Sequence, residues 1–241
     1  MTQPHILVTG TSRGIGAAIV AALAPHARVV GHATTADDGR LAADLSRPEA
    51  AGLLWREALA ALDGRIDVLV NNAGIFEAAS IDAPDQAWRD AWERTMQVNL
   101  TASAELSRLA VLHWQQQGAG AEAGRGRLVN VASRAAYRGD SPAHWHYAAS
   151  KAGMVAMTKT IARGYARDGI LAFAVCPGFT MTGMAEDYLA SRGGDQLLAD
   201  IPLGRVADPA EVAEAVRFLA LEAPPSMTGA VLDLNGASYV R

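Results

Sequence analysis

The chain has 241 residues, half of them apolar, and a formal net charge of −4. That length and apolar content suffice for the sizeable core of one large α/β domain spanning residues 1–241, and the acidic balance excludes any general pull toward nucleic acid. The lone Cys176 excludes an intramolecular disulfide and a cysteine-cluster metal site, and the longest apolar run, residues 17–24, is far below the ~20 residues that span a bilayer, so a cytoplasmic protein without a membrane partner is expected.

Short β-branched runs alternate with alanine-rich stretches, the pattern of βα units forming a parallel sheet covered on both faces. Strands are predicted at residues 5–9, 28–33, 41–44, 67–71, 127–132, 170–175 and 231–234, and helices at 14–24, 48–62, 84–117, 147–168 and 209–222. The first strand runs directly into Gly10-Thr-Ser-Arg-Gly14-Ile-Gly16 and then a helix. Glycines at that junction permit a tight turn and close backbone approach, and the helix start offers unpaired N–H groups to a pyrophosphate. Residues 35–44 leave room only for a turn between the second and third strands. The glycine-rich stretch 118–126 reads as a solvated loop, and 180–202 as either a mobile lid or a plain surface loop. Asp208, Pro209 and Glu211 form a helix-start signal with a capping box.

The G-x3-G-x-G spacing of residues 10–16, then Asn71-Asn-Ala-Gly74, Asn99, Ser133, Tyr147-Ala-Ala-Ser-Lys151 and Pro177-Gly178, in that order, resembles the short-chain dehydrogenase/reductase family along essentially the whole chain. The opening glycine motif, Gly31-His-Ala-Thr34 and Leu234-Asn-Gly236 are most similar to the β-ketoacyl-acyl carrier protein reductases. The resemblance implies a Rossmann-type doubly wound parallel sheet of about seven strands, a nicotinamide dinucleotide and a homotetramer or homodimer. In the family the counterparts of helices 84–117 and 147–168 pack between subunits, which fits their apolar surplus, including Trp88, Trp92 and Trp114.

The second strand, Val29-Val-Gly-His-Ala-Thr-Thr35, lacks the terminal acid that accepts hydrogen bonds from an NAD ribose. Arg13 with the Thr34 hydroxyl suits a 2′-phosphate, so NADP(H) is expected over NAD(H); the alternative has Asp37 or Asp38 reaching the ribose. The family pattern implies that Gly10, Ser12, Arg13, Gly14, Ile15 and Gly16 hold the phosphates. It also sets Asp44 and Leu45 beside the adenine, with a helix cap or a plain surface acid as the alternatives for Asp44, and lays Asn72, Ala73 and Gly74 beneath the cofactor. Pro177, Gly178 and Thr182 would fix the carboxamide, with Thr180 competing for that part.

Hydride reduction of a carbonyl leaves negative charge on oxygen, which calls for an acid and hydrogen-bond donors there. Tyr147 and Lys151 lie one helical turn apart, and a cation beside a phenol lowers its pKa by roughly 1–3 units. By resemblance Tyr147 transfers the proton, Lys151 also binds the nicotinamide ribose, Ser133 bonds the substrate oxygen, and Asn99 holds a water that relays protons to Lys151. Ser141 is the poorer serine candidate, since it sits in a Gly-Asp-Ser-Pro turn, and His144-Trp145-His146 suggests a substrate wall, not a metal site. Cys176 reads as core.

The expected activity is NADPH-dependent reduction of a 3-oxoacyl compound or similar small ketone. The alternatives are an alcohol, polyol or steroid dehydrogenase working oxidatively, and an NADP-binding redox sensor without turnover. Substrate identity rests on residues 135–146 and 180–202, where the motifs are silent.

Overall fold

A computed structural model describes residues 3–35, 39–117, 126–181 and 198–241. Asp37, Asp38, the loop 118–125, Thr182 and most of the 180–202 segment lie outside the described residues.

Seven strands form one parallel sheet: β1 (His5–Val8), β2 (Arg28–Ala33), β3 (Arg40–Ala42), β4 (Val68–Asn71), β5 (Gly126–Val131), β6 (Ile170–Pro177) and β7 (Val231–Leu234), in the spatial order β3-β2-β1-β4-β5-β6-β7. The strand order reverses between β1 and β4, the switch point where open α/β sheets form a crevice at their carboxyl edge. Among the described residues the α-helices are α1 (Gly14–Leu23), α2 (Ala50–Ala61), α3 (Asp85–Met96), α4 (Ala102–Gln116), the single-turn α5 (Ala135–Arg138), α6 (Trp145–Tyr165) and α7 (Pro209–Leu221).

Strand side chains alternate between two cores. Ile6, Val8, Val70, Val129 and Phe173 point to one face and pack under α1 and α7, whereas Leu7, Leu69, Leu128 and Ala172 point to the other and meet α2, α4 and α6. The expected capping box at α7 is present, with Asp208 accepting from the Ala210 amide and Glu211 from the Asp208 amide.

Three elements differ from expectation. The predicted helix 84–117 is broken by a π turn, Gln97–Thr101, with Asn99 at its centre. The helix expected from Tyr147 begins earlier, at Trp145, so His146 belongs to its first turn and not to the preceding loop. Trp114, expected at a subunit interface, is instead a core residue: its indole N–H donates to the Ile66 carbonyl at 2.7 Å and its ring covers Gly126.

The short link between β2 and β3 is explained by their register. A parallel neighbour normally needs a crossover of a dozen or more residues. Here β3 pairs only with Gly31, His32 and Ala33, so the chain climbs back about 7 Å before pairing resumes.

Candidate functional site

The glycine turn follows β1 because nothing larger fits. A Cβ on Gly10, whose φ is +69°, would lie 2.6 Å from the Ala73 Cα, and one on Gly16 would lie 2.0 Å from the Gly10 carbonyl oxygen. Just past β4, the Asn72 side-chain amide donates to the carbonyls of Thr9 (3.0 Å) and Gly10 (2.8 Å), while the Thr9 hydroxyl accepts from the backbone amides of Asn72 and Ala73, both at 3.0 Å. The turn and the Asn72–Gly74 segment are thus one hydrogen-bonded unit. Residue 13 is the N-cap of α1 and no side chain caps this helix, which leaves its first amides suited to an anion. Those bare amides and the close-packed glycines fit a dinucleotide pyrophosphate.

Around the turn, Ser12, Arg13 and Thr34 are exposed and Gly14 and Ile15 half-buried. Asp44 is exposed and engaged locally: it accepts from the Ser46 amide (3.1 Å) and hydroxyl (2.7 Å) and pairs with Arg47, contacts that lower its pKa. Leu45 is buried in the core beside α2.

On the other side of the switch point, the Ser133 hydroxyl lies close enough to the Tyr147 phenol to lower its pKa, and accepts from the Ala135 amide at 3.1 Å. Lys151, 4% exposed, donates from Nζ to the Val131 carbonyl at 2.9 Å, and its Nζ lies 5.9 Å from the Tyr147 ring centre. A Cβ on Gly74 would meet Lys151 Nζ at 3.4 Å and Asn99 Oδ1 at 3.3 Å, so Gly74 is where the lysine and the asparagine converge. Asn99 reaches this point because the π turn projects it inward. Its side chain accepts from the Ile75 amide (2.8 Å) and donates to the Ile75 carbonyl (2.9 Å) and to Ser150 Oγ, which donates to the Tyr147 carbonyl. The four expected catalytic residues are therefore brought together. Ser141, the poorer serine, is turned away to His144 at 2.7 Å.

Electrostatics here run against one expectation. Burial pushes the Tyr147 phenol up to about 12, the Ser133 hydrogen bond opposing it, and burial pushes the Lys151 ammonium down to about 8. The lysine ammonium is bonded to the Val131 carbonyl and not to the phenol. Cys176 is fully buried and its thiol is pushed up to about 11 by burial, a core group.

The carboxyl end of β6 closes the site. Gly178 is required by the 2.8 Å approach of the Asn235 Cα to its Cβ position, and its amide donates to the Leu234 carbonyl. The carbonyl of Pro177 accepts from the Arg134 amide, and the Thr180 hydroxyl donates to the Gly178 carbonyl at 3.3 Å.

Two contributors were not read from the sequence. Phe76 stacks on His144 with ring centres 3.8 Å apart and meets the Tyr147 ring edge-on at 4.8 Å, so the wall at His144 is completed from the β4 side. Arg134, next to Ser133, lies over the Phe179 ring and pairs with Asp200, which also takes Arg138. The signal for Phe76 was its place two residues after Gly74. Arg134 had none beyond adjacency to Ser133. Among the described residues, no group of three or more His, Cys, Asp or Glu side chains could hold a metal ion, and no helix is long and apolar enough to cross a membrane.

Paired serine and tyrosine hydroxyls beside a buried lysine, across a sheet crevice from an uncapped glycine turn, mark an oxidoreductase acting on CH–OH or carbonyl groups. Comparison with known proteins agrees: the family described as enoyl-(acyl carrier protein) reductase matches residues 10–236. The chain belongs to the short-chain dehydrogenase/reductase family. It is 36% identical over 248 residues to a 3-oxoacyl-[acyl-carrier-protein] reductase of Vibrio cholerae, covering 97% of this chain and 96% of that one. It is 34% identical over 247 residues to the Escherichia coli enzyme of the same name, with 97% and 96% covered. An acetoacetyl-CoA reductase of an Acinetobacter species is 36% identical over 201 residues, 82% of this chain and 75% of the relative.

Proposed function

We propose that this protein reduces the carbonyl of a 3-oxoacyl compound or similar small ketone to a secondary alcohol, with NADPH preferred over NADH and Tyr147 as the proton donor. The observation that carries the reading is the Ser133–Tyr147 hydroxyl pair set beside the buried Lys151. The names of the relatives, reductases of 3-oxoacyl carrier protein and acetoacetyl-CoA, support the substrate class.

In this reading the bound nicotinamide nucleotide supplies the hydride. The Ser133 hydroxyl donates to the substrate oxygen and Tyr147 delivers its proton as negative charge develops there. A phenol pushed up to about 12 is protonated at neutral pH, the form that reduction requires. The Lys151 ammonium spends one donor on Val131 and keeps two for ribose hydroxyls, and Asn99 fixes the floor segment at Ile75. The residues proposed to hold the nucleotide are those of the turn (10, 12–16), Thr34, Asp44 with Leu45, Asn72 to Gly74, and Pro177, Gly178, Thr180 and Thr182, with Arg13 and Thr34 favouring a 2′-phosphate. A cytoplasmic homotetramer or homodimer forming a single catalytic domain per chain completes the proposal.

The test follows absorbance at 340 nm with acetoacetyl thioester and a ketone panel, using NADPH and then NADH. NADPH oxidation is expected, reduced at least ~10²-fold in Tyr147→Phe. Unchanged turnover in that variant would remove Tyr147 from its role, and NADPH binding without turnover in either direction would favour a sensor.

A further inference from the structure

His32 is 2% exposed on β2, and its ring joins two parts of the crevice edge that no other described side chain joins in this way. The Gly10 amide lies 3.2 Å from Nδ1, and the Ala43 carbonyl lies 2.9 Å from Nε2. A backbone amide only donates and a carbonyl only accepts, so Nδ1 must be the acceptor and Nε2 must carry the proton. Only the neutral ring in a single tautomer satisfies both. The backbone adds to the clamp: the His32 carbonyl accepts from the Thr11 amide at 2.8 Å and from its hydroxyl at 3.2 Å. His32 thus holds successive residues of the glycine turn at one end and the residue preceding Asp44 at the other.

We infer that His32 is a positioning residue for the nucleotide: its neutral ring sets the distance between the phosphate turn and the segment Ala43–Leu45, and so tunes affinity for the adenosine half of the cofactor. The inference rests on the nucleotide site proposed above. Gly10 cannot be steered by a side chain of its own, and a Cβ there would strike Ala73, so its orientation is imposed from outside, by Asn72 on its carbonyl and His32 on its amide. A second ring proton would set an N–H against the Gly10 N–H and end that hold. Burial already lowers the ring's pKa, opposed by the Ala43 hydrogen bond. Among the described residues, the charged side chains on the surrounding segments are Arg28 at the start of β2 itself, Arg13 on the turn, Arg40 opening β3, Asp44 just after it, and Arg47 and Glu49 leading into α2.

The experiment compares wild type, His32→Phe, which keeps the ring's shape without either hydrogen bond, and His32→Asn, whose carbonyl can still accept from Gly10. NADPH binding is measured by fluorescence titration, KM and kcat by absorbance at 340 nm, and NADP⁺ binding by calorimetry from pH 8 to pH 5.5. His32→Phe should raise the NADPH dissociation constant and KM by about tenfold, with kcat at saturating NADPH within about twofold of wild type. His32→Asn should recover most of that loss. Wild-type NADP⁺ affinity should fall more steeply with acid than that of His32→Asn; the cofactor's 2′-phosphate titrates near pH ~6 in both proteins, so the difference reports the ring. Equal NADPH affinity in all three proteins, a kcat defect with unchanged KM, or identical pH profiles would overturn the role of His32 while leaving the nucleotide site in place. If His32→Phe fails to fold, the comparison of His32→Asn with wild type across pH still decides the matter. A wild type that binds neither NADPH nor NADH would overturn both readings.

Discussion

The Lys151 ammonium donates to the carbonyl of Val131, the last residue of β5, and so a cation is held inside the protein by a hydrogen bond to the backbone two positions before Ser133. Burial pushes its pKa from 10.5 down to about 8, on the order of 3 kcal/mol of disfavoured charge. An unfolded lysine titrates near 10.5, so this penalty is complete below about pH 8, fades between 8 and 10.5, and is absent above. Lys151→Met, which removes the charge and loses one charged hydrogen bond, is therefore expected to be inactive yet more stable at pH 7 by about 1–2 kcal/mol, a rise in melting temperature of a few degrees. Thermal denaturation at pH 7 and pH 10.5 checks this: the gain should vanish at the higher pH, and a less stable variant at pH 7 would refute the account.

Gly126 opens β5 under the indole of Trp114, where an added Cβ would lie 2.2–2.6 Å from ring atoms. The ring has little freedom to retreat, since its N–H is bonded to Ile66 and the side chain is 2% exposed. Gly126→Ala should cost about 1–3 kcal/mol by overpacking, visible as a lower denaturation midpoint with an unchanged NADPH KM.

Two glycines on helices predict opposite outcomes. Gly16→Ala drives a Cβ to 2.0 Å from the Gly10 carbonyl oxygen and 2.6 Å from the Asn72 side-chain nitrogen Nδ2, so it should weaken NADPH binding at least ~10-fold, as read by titration. Gly52 in α2 has only the far end of Arg56 nearby, at 3.8 Å. Gly52→Ala should stabilise the protein by roughly 0.5–1 kcal/mol through lower chain entropy, with cofactor affinity unaltered.

At the start of α7, Asp208→Ala removes the acceptor for the Ala210 amide and should cost about 1 kcal/mol in chemical denaturation. Hydrogen bonds from Arg205 and from the Asp208 amide hold Glu211 down to about 2, against 4.5 when unfolded. The folded value is the lower one, so the stabilisation is present above pH 4.5 and lost as pH falls toward 2. Glu211→Gln should flatten that part of the acid-unfolding profile; a profile identical to wild type would count against the bridge.

Most of the sheet was legible because buried parallel strands leave short apolar runs that nothing else in the chain imitates, and the parallel order followed from their alternation with helices. Asn99 was legible as a residue but not as a π turn, for the extra residue in that turn is made by packing between Gly74, Ile75 and Ser150 and leaves no local pattern. Trp114 was misread since apolar periodicity cannot tell a face that meets another subunit from one that covers Gly126. The direction of the Tyr147 shift escaped for a similar reason: spacing sets Lys151 one turn away, but whether its ammonium reaches the phenol or the Val131 carbonyl is decided in three dimensions. His32 stood in plain view within Gly31-His-Ala-Thr34, yet its partners Gly10 and Ala43 lie on other segments.

The brevity of β3 has a consequence for how copies of this protein coexist at high concentration. Sheet edges display unpaired N–H and C=O groups on which a foreign strand can grow, and long flat edges invite aggregation. One edge of this sheet is three residues long and begins with Arg40; the other, β7, is four residues long, and Arg241 covers it by bonding the Asp233 carboxylate and the Val231 carbonyl. Neither offers a run long enough to template another chain, so the register that pairs β3 with only three residues of β2 also makes the sheet resistant to edge-to-edge growth.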